Sequence, residues 1–447
     1  MTALPLHRWL DEAQEDREVA WRGDERLTLA QLRRQVIALC VRLQADSGVR
    51  WALCFDDSFW FTVALLAVLH AGKTPVILGH SRPSLLAEQA TQFDGVLTDT
   101  ALESATHASL RLPVAEQKET YTLPPLPQNA EVVLFTSGST GLPREVRKPV
   151  ACLDREAGWL AQRWGESLRG CSVVASVSHQ HLYGFAFRII LPMALGLPFD
   201  CRQSLYSEQL SAQSRLRRYL FISSPAFLRR LDLSLPAPRF ARVFSAGSAL
   251  HWTTAEAVWR WFNQPVSEIY GSTETGVLAW RMCDEEYTAW VPFAEVSFQQ
   301  DVSSRWVAHS PIIPQKAGWQ LDDKLVFLPG GGFQLAGRHD RIVKVEDKRV
   351  SLSEIERRLV ALPEISDAAA LALVRHGRTA IGVVLVLQDG VGAETLPRLK
   401  RQWRSELQRW LEPVALPRYW RVVASIPQNS QSKRAWPQIE ELFHAAG

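Results

Sequence analysis

The stretch that most restricts the fold is an apolar run, Val132-Val133-Leu134-Phe135, which passes directly into Thr136-Ser137-Gly138-Ser139-Thr140-Gly141 and then Leu142-Pro143-Arg144. The run reads as the end of a buried strand. Six consecutive Thr, Ser or Gly residues then demand a turn, and its two glycines permit positive φ and close approach to a ligand. Successive amides in such a turn form a concave nest for an anion. Four hydroxyls add hydrogen-bonding groups for phosphate oxygens, and Arg144 brings positive charge to the rim. On these residues alone the loop fits a plain surface turn as well as a phosphate site. The G-x-x-x-x-G-K-[ST] spacing fails, which excludes a Walker A loop.

The flanking pattern predicts an α/β layer. Leu29, Leu32, Val36, Leu39 and Leu43 fall on one face of a helix. Strands are expected at 51–55, 75–78 and 93–98, with a buried helix over 59–69 that is too short to span a bilayer. Strand–helix–strand alternation at this spacing favours a largely parallel sheet. Further strands are expected at 172–177, 218–222, 239–246 and 266–270. The last two run into Gly247-Ser248 and Gly271-Ser272-Thr273-Glu274-Thr275-Gly276. Ligands of open α/β sheets bind outside the carboxyl ends of strands, so the three Gly/Ser/Thr turns are expected to share one rim. After residue 340 the pattern changes to a capping box, Ser351-Leu352-Ser353-Glu354, a helix, two strands, a helix and a strand. The fold expected is a large N-terminal region of layered α/β subdomains, residues 1–339, followed by a small mobile α+β domain, 340–447.

Composition narrows the function classes. At 447 residues with 47% apolar and 22% charged content, the chain suits a soluble two-domain protein. A net charge of +3 gives no reason to expect nucleic acid or an anionic membrane as a general partner. Six scattered cysteines without a C-x-x-C pair fit reduced thiols in the cytoplasm. His179 and His181 lack a nearby third metal ligand.

In order along the chain, Thr136–Arg144, Tyr270-Gly271-Ser272-Thr273-Glu274, Gly337-Arg338-His339-Asp340, Lys344 to Arg349, Glu354-Ile355-Glu356 and Ser432-Lys433 after Pro427 resemble the motifs of acyl- and aryl-adenylate-forming enzymes. That family comprises acyl-CoA synthetases, peptide-synthetase adenylation domains and luciferases. The resemblance runs through most of the chain. It implies activation of a carboxylic acid with ATP and Mg²⁺ to an adenylate and pyrophosphate, then transfer to the thiol of CoA or of phosphopantetheine on an acyl-carrier protein.

The resemblance also implies roles. Thr136, Ser137, Gly138, Ser139, Thr140 and Gly141 would cradle the β- and γ-phosphates, with Arg144 beside them. Thr273 would face the α-phosphate and Glu274 would hold the metal. Tyr270 and Gly271 would lie against adenine, with Gly247 and Ser248 close by. Asp323, with Asp322 as competitor, and Arg338 would contact the ribose. Lys433 would bridge the carboxylate and α-phosphate, whose charges otherwise repel. His181, Tyr183 and Gly184 match a His-x-x-Gly segment at the acid pocket, and Phe185 and Phe187 suit an aromatic or unsaturated acid. Asp340 would be the hinge on which the small domain turns between half-reactions.

Three positions depart from the family pattern. Arg144 stands for a lysine, keeping charge in a planar form. Ser432 stands for the glycine before Lys433, and Asp347 for a glycine beside the thiol arm. An acid at 347 leaves open an adenylate-forming enzyme with another acceptor, and beyond that an inactive nucleotide- or acyl-binding partner protein.

Overall fold

Thr28 starts the first long helix, Leu29–Gln44. Its hydroxyl accepts from the Gln31 amide while the Gln31 side chain returns to the Thr28 amide. The five apolar residues expected on one face, Leu29, Leu32, Val36, Leu39 and Leu43, are all buried. Asp57 caps the next helix, Ser58–His70, by accepting from Phe59 and Trp60. Nearly every residue of that helix is buried, which explains its continuous apolar run.

These residues belong to a computed structural model that describes the chain apart from residues 12–13, 80, 82, 103–107, 117–120, 138–142, 339–340, 346–347, 376–377, 391–394, 410, 412, 430–432 and 445–447. Two units are distinguished, Met1–Phe298 with Ala308–Trp319, and Gln299–Val307 with Gln320–Gly447.

The first unit holds two large sheets. One has six strands in the order Ala108–Arg111, Gly95–Thr98, Arg50–Cys54, Thr74–Ile77, Glu131–Ser137 and Pro143–Pro149. All its pairings are parallel except the last, a hairpin. The other has nine strands. Its parallel centre runs Val266–Ser272, Arg239–Ser245, Arg218–Ser223, Ser172–Ala175, Phe199–Asp200 and Glu18–Arg22, and antiparallel strands close both edges. The predominantly parallel layering expected from the sequence is present.

The turns after Arg239–Ser245 and Val266–Ser272 follow adjacent parallel strands of one sheet. Glu131–Ser137, the strand before residue 138, belongs to the other sheet and pairs antiparallel with Pro143–Pro149. That hairpin was not legible in the apolar run. Pro143-Arg144-Glu145-Val146-Arg147-Lys148 looks like polar loop, yet it pairs residue for residue with Glu131–Ser137.

The second unit is α+β. It contains the hairpins Asp323–Phe327/Phe333–Arg338 and Ile342–Val345/Lys348–Ser351, and a sheet of Ile365–Arg375, Arg378–Leu387 and Tyr419–Val422. Helices Leu352–Val360 and Leu396–Gln408 bury Ile355, Leu359, Trp403 and Leu407 with Ile381 and Val383. This unit takes in residues N-terminal to 340. The Phe333–Arg338 strand packs on the Leu352–Val360 helix, where a Cβ at Gly337 would lie 3.1 Å from the Ser353 Cβ. Asp340 itself lies outside the described residues. Among the described residues no helix is long and apolar enough to cross a membrane.

Trp403 is fully buried, donates from its indole to Glu364 at 3.0 Å and stacks on Trp420. Trp403→Ala is expected to cost about 3–5 kcal/mol. Urea denaturation would read this as a lower midpoint for the second unit; an unchanged midpoint would show that this cluster does not hold the unit together.

Candidate active site

In the nine-stranded sheet Ser223 pairs with Ser245, and Ser245 with Glu268. Arg218–Ser223 and Arg239–Ser245 therefore end level with one another, while Val266–Ser272 runs on past them. Gly247 follows with φ +99°, a conformation open to glycine and strained for other residues, and Gly247 and Ser248 are exposed. The neighbouring strand continues into half-buried Tyr270, whose ring lies 5.7 Å from that of Trp290. Gly271 is then forced by contact, since a Cβ there would sit 2.1 Å from the Gly276 carbonyl oxygen. The turn between them is closed by reciprocal bonds: Thr275 Oγ1 accepts from the Ser272 amide at 3.0 Å, and Ser272 Oγ from the Thr275 amide at 3.2 Å. Thr273 and Glu274 project from this closed turn, both partly exposed.

Two residues that sequence reasoning missed hold the turn from outside. Lys148 Nζ donates to the Glu274 carbonyl at 2.9 Å, and Glu156 Oε1 accepts from the Val277 amide at 2.7 Å. Glu268 is a third, accepting from the Leu250 amide at 3.0 Å and pairing with Arg281. A signal existed for each. Lys148 shares strand parity with buried Val146, Glu156 lies among Leu153, Ala157 and Leu160 on the inward face of Val150–Leu168, and Glu268 sits inside a buried strand.

Of the loop residues, 138–141 lie outside the described residues, as do the side chains of Thr136 and Ser137, whose backbones end the Glu131–Ser137 strand. Arg144 is exposed and its guanidinium lies 4.8 Å from the Trp319 ring centre, a cation–π position.

The His-x-x-Gly segment has a structural logic of its own. His181 precedes a helical stretch, Leu182–Gly184, that continues through a wide i→i+5 turn over Phe185–Ile190 into Leu191–Leu195. Gly184 is pressed against the backbone, since a Cβ there would lie 1.9 Å from the Ser178 carbonyl oxygen. Phe185 and Phe187 are buried, Phe185 against Phe61 and Phe187 against Tyr183 and Phe244. The Tyr183 hydroxyl is buried near the Ser223 backbone and Glu268, and burial raises its pKa well above the ordinary value. Around it the strand ends supply Ser176, bonded to Ser223 at 2.9 Å, and the buried hydroxyl of Ser245. Arg188, another residue missed, is fully buried and donates to the carbonyls of Val177 and Cys201. Burial pushes its pKa down to about 10.

In the second unit, Asp323 and Arg338 are directly opposed across a two-stranded ladder. This brings the two expected ribose contacts onto neighbouring backbone positions, although the Arg338 side chain lies outside the described residues. Asp322 is exposed with its carboxylate 4.0 Å from Arg305. Lys433 is exposed on a loop fixed by Asn429, which accepts from the Lys433 amide at 3.0 Å and donates its own amide to the Lys433 carbonyl at 2.7 Å. The next residue, Arg434, pairs with Asp367 at 2.9 Å. Glu356 bonds Arg341 and the Ala370 amide, so the Glu-Ile-Glu match contributes to the framework of this unit. Ser432 and Asp347 lie outside the described residues.

No described group of three or more His, Cys, Asp or Glu residues could hold a metal by itself. A divalent ion at Glu274 would therefore draw most of its ligands from phosphate oxygens and water, the shell magnesium favours.

The nine-stranded α/β sheet carries its Gly/Ser/Thr turns beyond the carboxyl ends of adjacent strands, where open α/β sheets bind their ligands. The family model for AMP-binding enzymes matches residues 6–298, and the chain belongs to that family. Enterobactin synthase component F of Escherichia coli O157:H7 is 24% identical over 86% of this chain, and the chain spans 35% of the length of that relative. A 4-coumarate–CoA ligase of Rhodobacter capsulatus is 26% identical, covering 69% of this chain and 76% of the ligase. The fold matches that of o-succinylbenzoate CoA synthetase from Bacillus subtilis, solved with an acyl-adenylate, at a TM-score of 0.81 and 15% identity over 100% of this chain and 99% of that one.

His179 yields a pH test. It is buried, its Nε2 donates to the Phe55 carbonyl at 3.0 Å and its Nδ1 accepts from the Ser58 hydroxyl at 3.0 Å. Burial, reinforced by the Arg188 charge, lowers its pKa well below the ordinary 6.5. The unfolded chain therefore binds a proton that the fold rejects. The stability His179 supplies is complete above about pH 6.5 and falls below it by about 1.4 kcal/mol per pH unit. His70, lowered by burial, acts in the same direction, while Asp154, Asp200 and Glu156, raised by burial, act against it. Melting at pH 7.5 and 5.5 is expected to show a smaller loss in His179→Gln than in wild type; equal losses would refute the assignment.

Proposed function

We propose that this chain activates a carboxylic acid with ATP and passes the acyl group to the thiol of CoA or of an acyl-carrier protein. The observation that carries the reading is the pairing of Ser245 with Glu268, beyond which the two strands lead to Gly247-Ser248 and to Tyr270-Gly271, with the closed Thr273-Glu274 turn following. One carboxylate oxygen of the acid attacks the α-phosphorus. The bond from that phosphorus to the α,β-bridging oxygen breaks, and pyrophosphate leaves. A thiolate then attacks the acyl carbon, and AMP departs.

In this reading residues 136–141 and Arg144 hold the departing phosphates, and Tyr270 and Gly271 lie against adenine beside Gly247 and Ser248. Asp323 and Arg338 hold the ribose. Thr273 faces the α-phosphate, and Glu274 carries magnesium, which neutralises phosphate charge when bound. Lys433 stabilises the charge that builds on the phosphoryl oxygens as the carboxylate arrives. His181, Tyr183 and Gly184, with the hydroxyls of Ser223 and Ser245, form the acid pocket, and Asp340 is the hinge. An acidic residue at 347 favours, as the second reading, an acceptor other than a phosphopantetheine thiol.

Pyrophosphate exchange with a panel of aromatic and aliphatic acids tests the first step. At least one acid is expected to support exchange in wild type. Lys433→Ala is expected to lower that exchange by about 100-fold or more with the melting point unchanged, because Lys433 is exposed. No exchange with any acid, or full exchange in Lys433→Ala, would overturn the reading. Adding CoA, a carrier protein or a free amine to the preformed adenylate then separates the two acceptors.

A further inference from the structure

Lys148 occupies a position built for an apolar side chain. It pairs across the hairpin with Val132, which is fully buried, and shares its face with Val146. It is 2% exposed, and burial lowers its pKa, opposed chiefly by Glu156. Glu156 is in the mirror situation. It lies on the apolar face of a helix, 4% exposed, with its pKa raised by burial and held back first by Lys148. Burying either charge alone is costly, so each makes the other tolerable. Neither is spent on a second side chain. Lys148 bonds the carbonyl of Glu274 and Glu156 bonds the amide of Val277. The two bonds bracket Thr275 and Gly276, and a Cβ on Gly276 would lie 3.0 Å from the Glu156 carboxylate.

We infer that Lys148 is a positioning residue that ties the Glu131–Ser137/Pro143–Pro149 strand pair to the Thr273-Glu274 turn and so sets where the Glu274 carboxylate points. The link is direct in the chain. Lys148 is on the strand that leaves the loop, and its bond ends on the residue whose side chain faces the phosphates in the proposed function. Moving the hairpin moves the donor, and losing the donor frees the Glu274 backbone. The inference rests on the adenylation reading for what the turn binds, but not for the tie itself.

The test uses Lys148→Met/Glu156→Gln, because Lys148→Met alone strands a buried carboxylate. The double variant removes both charges and keeps an acceptor for the Val277 amide, so it is expected to melt close to wild type. Without ligand, hydrogen exchange of the amides at 273–277 is expected to rise about tenfold, the worth of one charge-assisted hydrogen bond. In pyrophosphate exchange, the Mg²⁺ concentration for half-maximal rate is expected to rise about tenfold, with the KM of the acid changed less than twofold. Lys148→Arg/Glu156 is expected to recover part of both. Unchanged amide exchange overturns the inference, as does faster amide exchange with an unchanged Mg²⁺ requirement. If wild type exchanges pyrophosphate with no acid, the adenylation reading fails and the amide measurement decides the tie.

Discussion

The site in the first unit depends on the register of three adjacent parallel strands. Ser223, Ser245 and Glu268 stand side by side in the ladder; the first two strands end there and the third runs on to Ser272 before its turn. Had the register slipped by one residue, the side chains of a whole strand would have exchanged faces. Gly271 adds the second constraint. Its approach to the Gly276 carbonyl makes the Thr273-Glu274 turn tight enough to be held by its own hydroxyls.

A turn at a strand end leaves backbone groups that no ladder satisfies. In this unit buried ionisable side chains meet that need. Arg188 serves the Val177 carbonyl after Ser172–Ala175, and Glu268 serves the Leu250 amide after Arg239–Ser245. Lys148 and Glu156 serve Glu274 and Val277 after Val266–Ser272, and His179 serves the Phe55 carbonyl after Arg50–Cys54. Burial of these ionisable groups is the cost of placing strong donors and acceptors where irregular backbone must be rigid.

The regular framework was legible because periodicity reports burial directly. Leu29 to Leu43 and the run inside Ser58–His70 were read from spacing alone and fold as read. Turn chemistry was legible at Gly247 and Gly271, and of the expected capping box the Ser351 half is present, its hydroxyl accepting from the Glu354 amide, while the Glu354 carboxylate bonds Arg357 and Arg358 instead. Sheet membership was not legible: nothing in the local sequence shows that Glu131–Ser137 belongs to a different sheet from Arg239–Ser245 and Val266–Ser272. The ionisable residues of the site's framework were also missed. Lys148 and Glu156 look like solvated charges in a local window, and only pairing across more than a hundred residues, with the Glu274–Val277 turn, shows them to be interior. The resemblance alone places Gly184 at an acid pocket, whereas its close approach to the Ser178 carbonyl gives a backbone reason for glycine there.

The hairpin divides its cationic work between two residues of different shape. Arg144, at the loop end, lies over the flat face of Trp319, where a planar guanidinium is favoured over an ammonium. Lys148, on the same strand, is a compact point donor reaching a single carbonyl in a buried space. Exchanging their chemistries would weaken both ends: an ammonium at 144 would lose the planar stacking, and a guanidinium at 148 would keep a donor for the Glu274 carbonyl while bringing further donors to a space with few acceptors, so only part of the tie would be kept. An arginine at 144 in place of the family's lysine therefore need not weaken the hairpin, because the bond that holds the Glu274 backbone comes from Lys148.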